Sequence, residues 1–327
     1  MTEPRLRVAV VGVGEFGRNH VRVYRQLPDV ELVGVVDANQ DRARAVAQEF
    51  STSALPDIES LCGKVDAASV AVPTIHHAQI GCRLLEMGID VIVEKPMAAS
   101  LAEADQLIEA AQRHGRVLQV GHVERFNPAV RAVAGLVQQP LYFEVHRLGI
   151  FTPRSLDVDV VYDVMIHDLD ILLAFADSQV AEVRSLGIPV VTDKVDIAHA
   201  RIEFASGAVA SLTASRVSVE KVRKLRFFQA HEYISLDYGR QDALRIRVRQ
   251  PGPNPQFDFE QIATDRREPL ESELLEFTGA VRKRAVPAVD GAAGRRALEL
   301  ADRVMAGILE HGRSVKLPAF ARPQANP

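Results

Sequence analysis

The sequence predicts an α/β protein of two domains. The first is a doubly wound parallel sheet over residues 1–122, and the second is an α+β domain with a mostly antiparallel sheet over residues 123–318. A flexible tail, 319–327, closes the chain. Three observations lead there. At 327 residues the chain exceeds what one compact core ordinarily holds. From Arg7 to His122 short β-rich runs alternate with helical patterns, and the runs are continuously apolar, as in a parallel sheet covered on both faces. After His122 the rhythm changes to β-rich runs in succession.

The elements follow in order. "RVAVVGVG" reads as a strand, "FGRNHVRVYRQL" as a helix, "VELVGVVD" as a strand and "QDRARAVAQEF" as a helix. "AASVAV", "DVIVEKP" and "RVLQVGH" are strands, separated by the helices "HHAQIGCRLLEMG" and "LAEADQLIEAAQRHG". In the latter, Ser100 suits the N-cap and Gly115 the C-cap. Beyond His122, "NPAVRAVAGLV" is a helix starting near Pro128, "LYFEVHRLG" a strand and "YDVMIHDLDILLAF" a helix. Six β-rich runs come next, from "VAEVRSLGI" to "ALRIRVR", with a hairpin at Ser206-Gly207 and a loop at Pro251 to Gln256. Helices over about Leu270–Arg284 and Gly291–His311 end the pattern.

Composition excludes several classes. A net charge of -4 argues against nucleic acid as a general partner, which would favour a basic protein or patch. No apolar run reaches the roughly 20 residues a membrane helix needs. The N-terminus runs straight into a glycine motif with no cleavage site, so a cytoplasmic location is expected. Cys62 and Cys82 fit no metal spacing or disulfide framework and read as small core residues.

Gly12, Gly14 and Gly17 have the spacing G-x-G-x-x-G between an apolar strand and a helix, the context of a Rossmann dinucleotide site. Gly12 allows the tight turn, Gly14 the approach of a pyrophosphate and Gly17 the packing of helix on strand. Glu15 and Phe16 lie between the second and third glycines and open the helix whose free N–H groups face the phosphates. Asp37 ends the second strand, where an acid reads the adenosine ribose. Its charge favours NAD over NADP, although Arg42 and Arg44 stand nearby.

Glu94 and Lys95 end an apolar strand, and Pro96 follows. Ligands in open α/β sheets bind beyond such strand ends, and a partly desolvated lysine there suits proton handling. In the helix "YDVMIHDLDILLAF", Asp163, His167 and Asp170 fall at i, i+4 and i+7, one polar stripe on an otherwise apolar helix. Buried charge is costly, so the stripe lines a cavity, pairs internally or binds something. A metal site and a satisfied polar network are the other readings of the stripe. Asp168 and Asp170 read as structural.

"GVGEFG", "VPTIHH" (Val72 to His77), "EKP" (Glu94 to Pro96) and "D-x-x-x-H-D" (Asp163 to Asp168), in this order, resemble the Gfo/Idh/MocA family of NAD(P)-dependent sugar and cyclitol oxidoreductases. The resemblance implies that Lys95, Asp163 and His167 surround the reacting hydroxyl, and that Glu94, Lys95, Pro73, Thr74 and His77 border the cofactor. No metal is required. His167, with an ordinary pKa of about 6.5, is the preferred base. Lys95, ordinarily about 10.4, is the partner that stabilises the oxygen. The segment His146 to Ile171 further resembles the family branch acting on nucleotide-linked sugars, the UDP-N-acetylglucosamine 3-dehydrogenases, through Arg147 and "F-x-P-R" ending at Arg154. Arg147 and Arg154 are candidates for a diphosphate or a uronate, and Arg125 and Asn127 for sugar hydroxyls. "DVVY" stands before Asp163 where the plain sugar dehydrogenases carry a glycine pair. A free monosaccharide or inositol, or a non-catalytic NAD sensor, are the competing functions. "RIRVR" puts Arg245, Arg247 and Arg249 on one strand face, read as a solvated or subunit-facing surface. The family pairs subunits through this sheet, which implies a homo-oligomer, a dimer or tetramer.

Overall fold

A computed structural model describes residues 4–152 and 158–315. The first stretch runs β1 (Leu6–Val11), α1 (Glu15–Gln26), β2 (Val30–Val36), α2 (Gln40–Glu49), β3 (Ser53–Leu55), β4 (Ala67–Val70), α3 (His77–Glu86), β5 (Asp90–Glu94), α4 (Leu101–His114) and β6 (Leu118–Gly121). Then come α5 (Pro128–Ala134), β7 (Tyr142–Ile150), a π-helical turn (Val161–Met165) and α6 (Ile166–Ala176). The strands β8 (Val180–Ile188), β9 (Ile197–Phe204), β10 (Val209–Ser218), β11 (Val222–Gln229), β12 (Glu232–Asp237), β13 (Asp242–Gln250) and β14 (Gln256–Ile262) follow. The last helices are α7 (Pro269–Lys283) and α8 (Gly291–Ser314).

The chain forms two compact units, 1–126 with 267–296, and 127–266 with 297–327. In the first, six parallel strands lie in the order β3-β2-β1-β4-β5-β6. The order reverses between β1 and β4, where a doubly wound sheet opens its ligand crevice. Ser100 caps α4 by accepting from the Glu103 N–H, and Gly115 ends it at φ 59°, as the sequence predicts.

One boundary differs from the sequence reading, which placed both final helices in the second domain. Residues 267–296 group with the first unit. Leu274, Phe277, Ala280 and Val281 of α7 are buried in one cluster with Val8, Val10, Tyr24 and Val35. Each fully buried Leu or Phe contributes about 1.5–3 kcal/mol, enough to fix the helix there whatever its place in the chain. The sequence reading also lacks β3 and β14. Cys62, expected in the core, is exposed at the end of a 3₁₀ turn (Glu59–Leu61) whose Leu61 is the buried residue.

The second unit is an eight-stranded sheet in the order β14-β13-β12-β11-β7-β10-β9-β8. All neighbours are antiparallel except β7 and β10. The predicted hairpin joins β9 and β10, with Gly207 at φ 87°. Leu169 and Leu172 of α6 and Ala301, Val304 and Ile308 of α8 pack into one core with the sheet's Ala200, Ile202 and Phe227. Arg245, Arg247 and Arg249 pair with Glu232, Glu260 and Asp258 of neighbouring strands, which accounts for "RIRVR" as a charge-paired sheet face.

The start of the π-helical turn is tied down by a buried acid. Asp196 is wholly buried and accepts from the N–H groups of Val190, Val191 and Thr192 at 2.7–2.8 Å. Arg216 Nε lies 3.0 Å from it. The Arg216 guanidinium also donates to the carbonyls of Val158 and Val195, while Val195 donates to Asp159 and accepts from Val160. Burial alone would raise the Asp196 pKa, but those N–H groups and the Thr192 hydroxyl hold it down to about 2. A carboxyl depressed on folding contributes stability that is present above its unfolded value, about 3.9, and is lost as pH falls toward 2. Asp196→Asn is therefore less stable than wild type at pH 5, and the gap narrows between about pH 4 and pH 2 in denaturant unfolding. A gap that is constant over that window contradicts the assignment.

Candidate functional site

The glycine turn joins β1 to α1. Gly12 sits at φ 85°, a conformation that side chains disfavour. A Cβ on Gly17 would lie 1.8 Å from the Gly12 carbonyl oxygen, so only glycine lets α1 approach the turn. Gly14 differs. A Cβ there meets nothing closer than Arg42 at 4.0 Å, so the protein's own packing does not demand glycine. The demand comes from space kept open above the α1 N-terminus, and this chain fits a dinucleotide pyrophosphate in that respect. Glu15 and Phe16 are exposed beside it.

Asp37 is buried at the end of β2. Its Oδ2 accepts from Val13 N at 2.8 Å and its Oδ1 from Asn39 N at 2.8 Å. Arg42 reaches Oδ1 at 3.3 Å. A carboxylate has about four lone-pair directions, so Oδ2 keeps one for a hydroxyl. Arg42 is held by this acid, so a 2′-phosphate here would meet a carboxylate.

At the end of β5, Lys95 and Pro96 are half-buried. Glu94 folds back over Gly121, where a Cβ would lie 3.2 Å from its Cα, Cδ and Oε1. Glu94 Oε2 accepts from the Lys95 backbone N–H at 3.2 Å. Its Oε1 lies 2.9 Å from His20 Nε2. His20 Nδ1 is 3.0 Å from Ser69 Oγ, and Tyr24 Oη 2.9 Å from the same oxygen. Burial pushes the Glu94 carboxyl up, but the His20 hydrogen bond and the Lys95 ammonium bring it below its ordinary value. Burial raises the Tyr24 phenol, which stays protonated as a donor. The sequence reading passed over His20, Tyr24 and Ser69. The signal was available: Gly17, His20, Val21 and Tyr24 share the buried face of α1, and two of them are polar.

His77 corrects its expected role. It is 1% exposed, with Nδ1 2.9 Å from the Pro96 carbonyl and Nε2 2.8 Å from the Val72 carbonyl. Both nitrogens face backbone, so it braces the "PTIHH" loop against the "EKP" turn and does not present itself to a ligand. Burial is the largest influence on the ring and lowers its pKa, while the two carbonyls and Glu94 act against that. Pro73 is exposed and Thr74 half-buried on that loop.

In the second unit, Asp163 lies on the π-helical turn and His167 on the first turn of α6, both half-buried. The wider π turn replaces the continuous α-helix of the sequence reading. Such bulges occur often at functional sites, where they redirect a side chain. Asp168 and Asp170 are each 1% exposed, as structural groups should be. Asp168 accepts from Arg147 Nε at 2.6 Å and Nη2 at 2.9 Å, and the guanidinium lies 4.7 Å over the Tyr238 ring. Arg147, expected on a diphosphate, is thus held in the interior by a two-pronged ion pair beside His167. Asn127, expected on sugar hydroxyls, is 2% exposed; it caps α5 through Ala129 N and donates to the Tyr238 carbonyl. Arg125 is half-buried on a 3₁₀ turn, and Arg154 lies outside the described residues. Among the described residues no group of three or more His, Cys, Asp or Glu could hold a metal, and no helix is long and apolar enough to cross a membrane.

Comparison with known proteins matches these features. A family model described as "Oxidoreductase family, NAD-binding Rossmann fold" covers residues 6–122, and the GFO/IDH/MocA C-terminal domain covers residues 129–231. UDP-N-acetylglucosamine 3-dehydrogenase of Acidithiobacillus ferrooxidans is 37% identical over 93% of this chain and 97% of its own. Its solved structure superposes with a TM-score of 0.88 at 35% identity, covering 93% of this chain and 98% of that one. A myo-inositol 2-dehydrogenase of Thermotoga maritima is 27% identical over 95% of this chain and 98% of its own. Levoglucosan dehydrogenase, solved with NADH and levoglucosan, shares the fold at a TM-score of 0.84 and 19% identity, over 94% of this chain and 97% of that one. The chain belongs to the GFO/IDH/MocA family of oxidoreductases, and residues 6–122 are its NAD-binding Rossmann domain.

Proposed function

We propose that this oxidoreductase is a dehydrogenase of a nucleotide-linked amino sugar, oxidising the 3-hydroxyl of UDP-N-acetylglucosamine with NAD. The observation that carries this reading is the 37% identity to a UDP-N-acetylglucosamine 3-dehydrogenase, which extends over both units. The inositol dehydrogenase relative is more distant, at 27%.

The proposed roles follow from the chemistry of each group. The N–H groups opening α1 and the space above Gly14 receive the pyrophosphate, and Asp37 accepts from the ribose. When bound, the nicotinamide supplies a carbon that accepts the hydride leaving the sugar C3. Lys95 hydrogen-bonds the substrate oxygen and stabilises its developing negative charge. His167 takes the hydroxyl proton, and the electron pair left on oxygen forms the C=O bond as the hydride departs. Asp163 holds the His167 ring. With Arg147 already paired to Asp168, Arg125 and Arg154 are the remaining candidates for the diphosphate, and Pro73 and Thr74 for the cofactor.

A panel of UDP-sugars, free hexoses and inositols, followed by NADH formation, tests the substrate. Reduction of NAD with UDP-N-acetylglucosamine is expected; a response confined to free sugars or inositols overturns the reading. The glycine turn gives a second test. Gly14→Ala is expected to fold with wild-type stability and to bind NADH more weakly by about tenfold or more, about 1.4 kcal/mol. Gly17→Ala is expected to lose stability, since its Cβ collides with the Gly12 carbonyl. Equal NADH affinity in wild type and Gly14→Ala contradicts the pyrophosphate role.

A further inference from the structure

We infer that His20 is a positioning residue for Lys95, acting through Glu94. This rests on the reading that Lys95 touches the reacting oxygen, and adds how β5 presents it. Glu94 bonds on both carboxylate oxygens. Oε1 takes the His20 contact at 2.9 Å, and Oε2 accepts from the backbone N–H of Lys95 at 3.2 Å. The carboxylate is therefore a strut between α1 and the peptide that carries Lys95. The strut has a buried anchor. One pattern satisfies every group in it: Tyr24 donates to Ser69, Ser69 donates to His20 Nδ1, and His20 Nε2–H donates to the Glu94 carboxylate. Tyr24, Ser69 and His20 are each at most 2% exposed, so no solvent replaces a lost partner. Donors aligned toward one charge strengthen each other in a dry interior.

The side chain also has little room to settle elsewhere. Gly121, the register partner of Glu94 on β6, carries no side chain there; a Cβ on it would come within 3.2 Å of the Glu94 Cδ and Oε1. The Lys95 ammonium also acts on Glu94, and on the far side of Lys95 the His77 ring on α3 stands 2.9 Å from the Pro96 carbonyl. The peptide bearing Lys95 is thus braced before and after by two histidines, one through a carboxylate and one through a carbonyl. Without His20, the half-buried Glu94 carboxylate loses its strongest donor. It then turns toward water or another donor, and that reorientation loosens its hold on the Lys95 N–H.

The test compares His20→Ala, His20→Gln, Ser69→Ala and Lys95→Ala in the full chain. Readouts are kcat and KM for UDP-N-acetylglucosamine, NADH affinity and melting temperature. Misplacing a catalytic group by about 1 Å costs on the order of 100-fold. His20→Ala is expected to lower kcat by about 10- to 100-fold, with KM and NADH affinity within about twofold of wild type. His20→Gln, whose amide N–H can still reach Glu94, should recover most of the loss. Ser69→Ala should give a smaller loss of the same kind, and it carries the test if His20→Ala does not fold. Unchanged kcat in a folded His20→Ala or Ser69→Ala, or a kcat loss that His20→Gln does not relieve, overturns the inference. If Lys95→Ala itself keeps turnover, the reading of Lys95 falls and this inference with it. If Lys95→Ala is inactive while His20→Ala is normal, only the positioning role is lost.

Discussion

A carboxylate in a dry interior must be given donors or it costs several kcal/mol, and the parts of this protein that carry chemistry are organised around that constraint. Glu94 is met by His20 and the Lys95 N–H, and Asp168 by Arg147. Asp196 is met by three consecutive N–H groups and Arg216. Two of these acids adjoin a residue of proposed function, and the third holds the backbone before one. Glu94 precedes Lys95, Asp168 follows His167, and Asp196 anchors the strand start that binds the backbone ahead of the π-helical turn. The buried charges fix backbone positions, and the half-buried Lys95, Asp163 and His167 follow on that fixed backbone.

The glycine turn shows the same separation of support from function. Gly12 and Gly17 are explained entirely by the protein's own backbone, through a left-handed φ and a collision with a carbonyl. Gly14 is explained by nothing in the chain, only by the space above a helix N-terminus. Asp37 combines both, bonding two loop N–H groups while one oxygen retains accepting capacity. All four lie within the NAD-binding Rossmann domain of the GFO/IDH/MocA family.

Most of the fold was legible in the sequence because its elements are strongly patterned. The buried parallel strands are continuous apolar runs, the hairpin turn is a Ser-Gly pair, and α4 has both its caps. The short β3 and the exposed β14 lack that contrast. The affiliation of α7 is a tertiary fact: its apolar face does not say which core receives it. Motif order in the sequence also singles out Lys95, Asp163 and His167, which the fold leaves half-buried. It could not distinguish an arginine facing substrate from one held by a buried acid. Arg147 and Asn127 were thus assigned to a ligand, where the fold uses them to hold α6 and to cap α5. His77 reads as a loop residue beside the cofactor, yet both its nitrogens face backbone carbonyls, to one of which a neutral ring donates. His20 was hidden for the opposite reason, as one polar letter in an amphipathic helix. Only its partner across the sheet, Glu94, gives it meaning.

In the proposed reaction an imidazole, not the lysine amine, removes the hydroxyl proton while hydride leaves the neighbouring carbon. The most direct measurement is turnover of UDP-N-acetylglucosamine by His167→Ala, with and without deuterium at C3. With His167 as the base, kcat falls by about 100- to 10,000-fold, the range of a lost general base, with the deuterium effect on kcat fully expressed. Near-normal turnover in His167→Ala, with the isotope effect unchanged, would contradict it.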